Sequence, residues 1–208
     1  MRGIALIAAV LCTVLTAVFA VGAFLEHSAA ESKVDDAEQH ESAASLFRQA
    51  EGEAQAAGTA LQEFIATGDA TKIQEINERT SSGVTLLTAA VQEAGIDGTP
   101  LLEGGSALVQ AEGQIIALRQ AGDVQGAIAG LTALQTQFEE FQATQNGIIE
   151  NQETLAAEAR DDAETADGLT QWMVIAGAVF AIGAVFSGIV YIRQNTSRRR
   201  SVGGVAPA

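Results

Sequence analysis

His40 lies four residues after Asp36, and His27 four residues before Glu31, so on a helix each pair shares one face. Two such pairs could hold a divalent cation weakly. A zinc site takes three or four ligands, however, and no third is recognisable, so no metal is expected. A histidine in a polar seam could serve as a pH-sensitive element, but for His40 a solvated stalk histidine is the simpler reading. No hydroxyl or thiol is paired with a base, and there is no phosphate loop and no Cys/His cluster. The chain is therefore not expected to be an enzyme, and no cofactor is expected. The acidic runs Asp35-Asp36, Glu139-Glu140 and Asp161-Asp162 read as solvated faces. The single cysteine, Cys12, lies inside an apolar segment and excludes an intrachain disulfide.

The elements that carry these residues are set by how charge is sorted. Residues 4–25 and 171–192 are two stretches of 22 residues without a charge. A bilayer core of about 30 Å needs about 20 such residues in a helix. All 26 acidic residues fall between Glu26 and Asp167, against six basic ones, a net of −20 for the middle. Arg2, Arg193, Arg198, Arg199 and Arg200 lie just outside the apolar stretches. Basic flanks stay in the cytoplasm, so both termini are expected inside a cell (inner or plasma) membrane and residues 26–170 outside it. Trp172 and Tyr191 suit the headgroup level at opposite ends of the second span. An Ala-x-Ala-like cleavage site can be drawn near Ala20–Ala23, but the first apolar stretch is longer than the ~7–15 residues of a signal-peptide core. The acidic middle excludes a nucleic-acid partner, because phosphate binding needs clustered Lys and Arg.

Helical spacing of apolar residues runs through the middle, which contains one proline, Pro100. Gly68-Asp69, residues 96–100 and Gly122-Asp123 are turn signals. In the first and third, glycine suits the left-handed residue past a helix end, and aspartate suits the next N-cap. Helices are thus expected at about 26–66, 70–95, 101–120 and 123–170, the outer two running into the spans. Short connections predict an all-α fold, an antiparallel up-down four-helix bundle flanked by two transmembrane helices. Residues 1–3 form the cytoplasmic N-terminus and 193–208 a short basic tail, with Gly203, Gly204 and Pro207 suggesting disorder.

The second helix is shorter than the first, so near the membrane only two helices are expected, a stalk roughly 25 Å long. Heptad frames place Phe64, Leu61, Ala57, Ala54, Ala50, Phe47 and Ala43 on the seam of the first helix, followed by His40, Asp36 and Lys33. On the fourth they place Leu131, Leu134, Phe138 and Phe141, then Gln145, Ile148, Gln152, Leu155, Ala159 and Asp162. A polar stalk seam of Asp36, His40, Gln145 and Gln152 is best completed by a second copy, since seam polarity fixes register and oligomer state. A homodimer is expected, with cysteines placed at Asp36, His40 or Gln152 crosslinking between chains. Small residues in the second span, including Gly177, Ala181, Ala184 and Gly188, would let helices approach closely.

With its first span, long-armed helical bundle, second span and arginine-bearing exit, the chain resembles the sensory half of bacterial methyl-accepting chemotaxis receptors and related histidine-kinase sensor modules. The resemblance covers residues 1 to about 195. Phe64-Ile65-Ala66-Thr67-Gly68-Asp69 and Arg119-Gln120-Ala121-Gly122-Asp123, with Ala127, look like phrasing common in such bundles. It implies a dimeric receptor in which a ligand or partner protein shifts the fourth helix and the second span carries the shift inside. It also implies that Arg48, which projects away from the first-helix seam, contacts a small-molecule ligand. After Ile192 only 16 residues follow, too few for the relay and signalling coiled coil of that family. A signalling partner in the cytoplasm or membrane is therefore expected. The alternative is a structural or scaffolding envelope protein whose bundle is a spacer.

Overall fold

The computed structural model describes the backbone of residues 2–202, and side-chain surroundings for 13–186 and Ile189. Cys12, Gly188, Tyr191 and the arginine side chains at both ends lie outside the described side chains, and Gly203, Gly204 and Pro207 lie outside the described residues. Four helices account for nearly all of the backbone: α1 (Arg2–Thr67), α2 (Thr71–Ala94), α3 (Thr99–Gln120) and α4 (Val124–Val202). Pro100, the one proline among residues 2–202, stands in the first turn of α3, where its missing N–H would have no partner anyway. α1 and α4 each run unbroken from an apolar stretch into the polar middle, as expected.

The turns follow the Gly-Asp chemistry. Gly68 at φ 75° and Gly122 at φ 86° adopt the left-handed conformation that a Cβ disfavours. Asp69 Oδ1 accepts from the Thr71 N–H at 3.0 Å, and Asp123 Oδ1 from the Gly126 N–H at 2.8 Å. The bonds from the Thr71 N–H and hydroxyl hold Asp69 below the usual carboxylate range. After α3, the Asp123 N–H reaches Leu118 O at 3.0 Å and the Gly122 N–H reaches Arg119 O at 3.1 Å, the paired bonds of a Schellman ending. The second turn begins earlier than the sequence suggested. Gly95, at φ 63°, ends α2 directly, and Asp97 then accepts from the Thr99 N–H at 3.1 Å. A Cβ on Gly98 would lie 2.1 Å from Val91 Cγ1, so close approach fixes that glycine.

The chain packs as two compact units, one comprising residues up to Val34 and from Arg160 onward, the other Asp35–Ala159. In the first, Phe19 and Phe180 stack with centroids 5.5 Å apart. A Cβ on Gly22 would meet Met173 Sδ at 3.0 Å, and one on Gly177 would meet Phe19 Cβ at 3.4 Å. The small residues here serve contact between α1 and α4 of one chain. Lys33 pairs with Asp162 at 3.3 Å. Large apolar side chains otherwise point outward: Phe24 and Trp172 are each 72% exposed, with Val18, Val21, Leu25, Val179, Ile182 and Phe186 also open. Among the described residues, α1 and α4 are long and apolar enough to cross a membrane.

In the second unit, two core clusters each draw on all four helices. One joins Ala44, Phe47 and Ala50 of α1 to Leu87, Ala90 and Val91 of α2, Leu101 of α3 and Ile149 of α4. The other joins Ala60, Leu61, Phe64 and Ile65 to Ile76, Ile115 and Ala127. The inward register follows the expected seams in part: on α4 Gln145, Gln152 and Ala159 are buried as expected, and other positions differ. Ala37 is buried and Asp36 exposed. On α4, Ile149 and Ala156 are buried where Ile148 and Leu155, both half-buried, were expected. At the level of Asp36 the inward place falls to Ala37, because a buried carboxylate would have to give up its hydration.

Candidate functional site

Between the two clusters the packing is incomplete. Ala50, Ala54, Ala57 and Gly58 of α1, Gly83 of α2 and Gly105 of α3 supply almost no side-chain volume there. Leu131, Leu134, Phe138 and Phe141 of α4 face them from the opposite wall and remain half-buried. The result is an apolar cavity of about 370 Å³, within the range that small-molecule sites occupy. Leu108 and Val109 of α3 and Leu87 of α2 complete its apolar lining.

One charged side chain lines it. Glu112 of α3 is 8% exposed, and its Oε2 accepts the Thr80 hydroxyl hydrogen at 2.8 Å. Burial pushes its carboxyl above the usual range, and the Thr80 bond offsets part of that rise. Glu112, Thr80, Val84 and Val109 also line a groove between α2 and α3, with Asn77, Ser81, Thr85, Gly113 and Ile116. The carboxylate thus stands where cavity and groove meet. Among the described residues, every buried side-chain nitrogen or oxygen has a hydrogen-bond partner.

The residues singled out in the sequence lie elsewhere. His40 Nδ1 and Gln152 Oε1 are 2.7 Å apart, and Gln145 Nε2 donates to Phe47 O at 2.6 Å. Both α1–α4 bonds are made within one chain, so three of the four seam polar residues that suggested a second copy, His40, Gln145 and Gln152, find partners without one. Asp36 takes no inward place. Arg48 is exposed and pairs with Glu153 across α1 and α4. His27 and Glu31 are 3.5 Å apart, and among the described residues no three His, Cys, Asp or Glu come together. Arg119 instead closes a helix end, its Nε donating to Ile65 O at 2.8 Å beside Gly68. Glu112 and Thr80 were missed. The available signal was a carboxylate at helical spacing inside the stripe Leu108, Ile115, Ile116.

A raised carboxyl pKa ties stability to pH. The folded state holds the Glu112 proton more tightly than the unfolded chain does. Its contribution is therefore fully present below the ordinary glutamate pKa and is lost as pH rises through the folded value. Glu112→Gln keeps a partner for Thr80 and removes that loss. Stability of the variant, relative to the parent, should rise as pH increases above the ordinary glutamate pKa in urea titrations of the detergent-solubilised chain. Parallel curves across that window would show that Glu112 is not the group responsible.

No protein-family model matches the sequence, and no curated protein or solved structure matches it either.

Proposed function

We propose that the chain is a membrane-anchored sensor module of the chemoreceptor kind, which binds a ligand outside the cytoplasm and passes the signal through its second span. The observation that carries this reading is the continuity of α1 and α4. The two helices that contribute opposite walls of the cavity also contain the two apolar segments, with no break in either helix. A ligand that reseats Leu131, Leu134 or Phe138 therefore acts on the helix that contains the second segment.

Several features support the arrangement this requires. One core cluster joins the end of α1 to the start of α2 and the end of α3 to the start of α4, and the other joins the end of α2 and the start of α3 to interior stretches of α1 and α4. That contact order suits an antiparallel up-down bundle. The outward apolar side chains of the first unit form a large surface that lipid, rather than water, would cover. The sorting of Arg against Asp and Glu suits cytoplasmic termini in an inner or plasma membrane, with the acidic middle outside. A homodimer and a cytoplasmic or membrane signalling partner belong to this reading through the resemblance.

The test is a thermal-shift screen of the full chain in detergent against small molecules of cationic, anionic and neutral classes. A ligand that binds only the folded form adds about 2.7 kcal/mol at a hundredfold excess over Kd. At least one class should raise the midpoint in a saturable way. Silence across all three would overturn the sensor reading and leave the bundle as a spacer.

A further inference from the structure

We propose that the cavity beside Glu112 takes a small organic cation, an amine carried on an apolar body, whose ammonium group meets the Glu112 carboxylate. This rests on the sensor reading and names the ligand class of its site.

The argument starts from what a buried carboxylate requires. An ionised carboxylate away from water is costly unless a cation or several donors face it. Glu112 is nearly covered, and Thr80 supplies one hydrogen bond, to Oε2. Among the described residues that line the cavity, none is cationic, and Glu112 is the one titratable group. A positive partner is therefore what the cavity lacks, and an ammonium group can supply it together with the N–H donors for the second oxygen. The remaining lining selects the body of the ligand. Leu108, Leu131, Leu134 and Phe138 offer apolar contact beside the amides of Gln55, Gln62 and Gln135, and Gly58, where an added Cβ would meet nothing within 4 Å, leaves volume open.

The surrounding charge favours the same class. Residues 26–167 carry 26 acidic and six basic side chains, a field that concentrates cations and repels anions. A metal ion fits poorly, because one carboxylate in an apolar wall offers too few oxygen ligands for a divalent cation.

The probes are n-hexylamine, hexan-1-ol and hexanoate, which share a body and differ in head group, added to the full chain in detergent. Hexylamine should bind saturably by calorimetry and raise the unfolding midpoint, with the alcohol and the acid at least about tenfold weaker. Glu112→Gln should weaken hexylamine by about tenfold or more while leaving the hexanol response unchanged. Gly58→Leu, at a position where an added Cβ meets nothing within 4 Å, fills the cavity from α1 and should abolish binding of hexylamine, and the midpoint of each unliganded variant reports separately that it folds.

Equal binding of hexylamine to the parent and Glu112→Gln would overturn the proposal, as would hexanol binding as tightly as the amine. Hexanoate binding in place of the amine would overturn the cation and leave the sensor reading standing. Loss of all three, with silence across the wider screen, removes both.

Discussion

Phe47→Ala is expected to cost the bundle about 3–5 kcal/mol, a fall in unfolding midpoint of roughly 10–20 °C for the full chain in detergent. Phe47 is fully buried, and the residues around it have little to offer a vacancy. Ala44, Ala50 and Ala90 are too short to reach in, and Leu87, Leu101 and Ile149 already fill their own places. The backbone cannot settle inward either, since Phe47 O is held by the Gln145 side chain at 2.6 Å. A cavity that does not collapse loses both the transfer free energy of the ring and its dispersion contacts. Ile128, 45% exposed on α4, is the control: its replacement by alanine should stay within about 0.5 kcal/mol. Equal effects at the two positions would mean that Phe47 is not the anchor of that cluster.

The second large effect concerns insertion. Ile182 sits at the middle of the uncharged stretch 171–192 and is 58% exposed, on a helix long and apolar enough to cross a membrane. Aspartate at the centre of a spanning helix costs about 2.5–3.5 kcal/mol on insertion scales. Converted at about 1.4 kcal/mol per decade, Ile182→Asp shifts the insertion equilibrium by about two orders of magnitude. A tag appended to the C-terminus, protected from protease in intact spheroplasts of the parent, should become accessible in a large fraction of Ile182→Asp chains. The double variant Val179→Asp with Ile182→Asp should expose nearly all of it. Full protection of the tag in the double variant would overturn the assignment of 171–192 as a span.

These two predictions draw on features of unequal legibility. The apolar stretches could be read directly, because 22 consecutive uncharged residues match the length that a bilayer core demands of a helix. Gly68-Asp69 and Gly122-Asp123 were equally plain, since one residue supplies the left-handed turn and the next the cap. Gly95 was less so, because Gly98 and Pro100 nearby gave a stronger turn signal, and only the packing of Gly98 on Val91 shows which glycine does which task. On α4, Gln145, Gln152 and Ala159 are buried as the sequence spacing suggested, while the positions between them lie one residue later. Ala156 and Ala163 carry weak apolar weight in any pattern, so Leu155 and Asp162 were placed inward instead. The cavity was the least legible feature, being made by volume that Gly58, Gly83 and Gly105 do not supply from three helices. Sequence spacing shows which residues share a face, but not which faces fail to meet.

The alanine contact between α1 and α4 in the second unit has a mechanical consequence. Ala37, Ala44, Ala156 and Ala159 present short, nearly uniform surfaces, without the bulky knobs that lock coiled-coil partners into one setting. Such faces resist axial sliding weakly. The directional contacts across the two helices are His40–Gln152, the Gln145 bond to Phe47 O, the Arg48–Glu153 pair and the bond from Gln142 to Glu51. Any axial shift of one helix against the other would have to break them together.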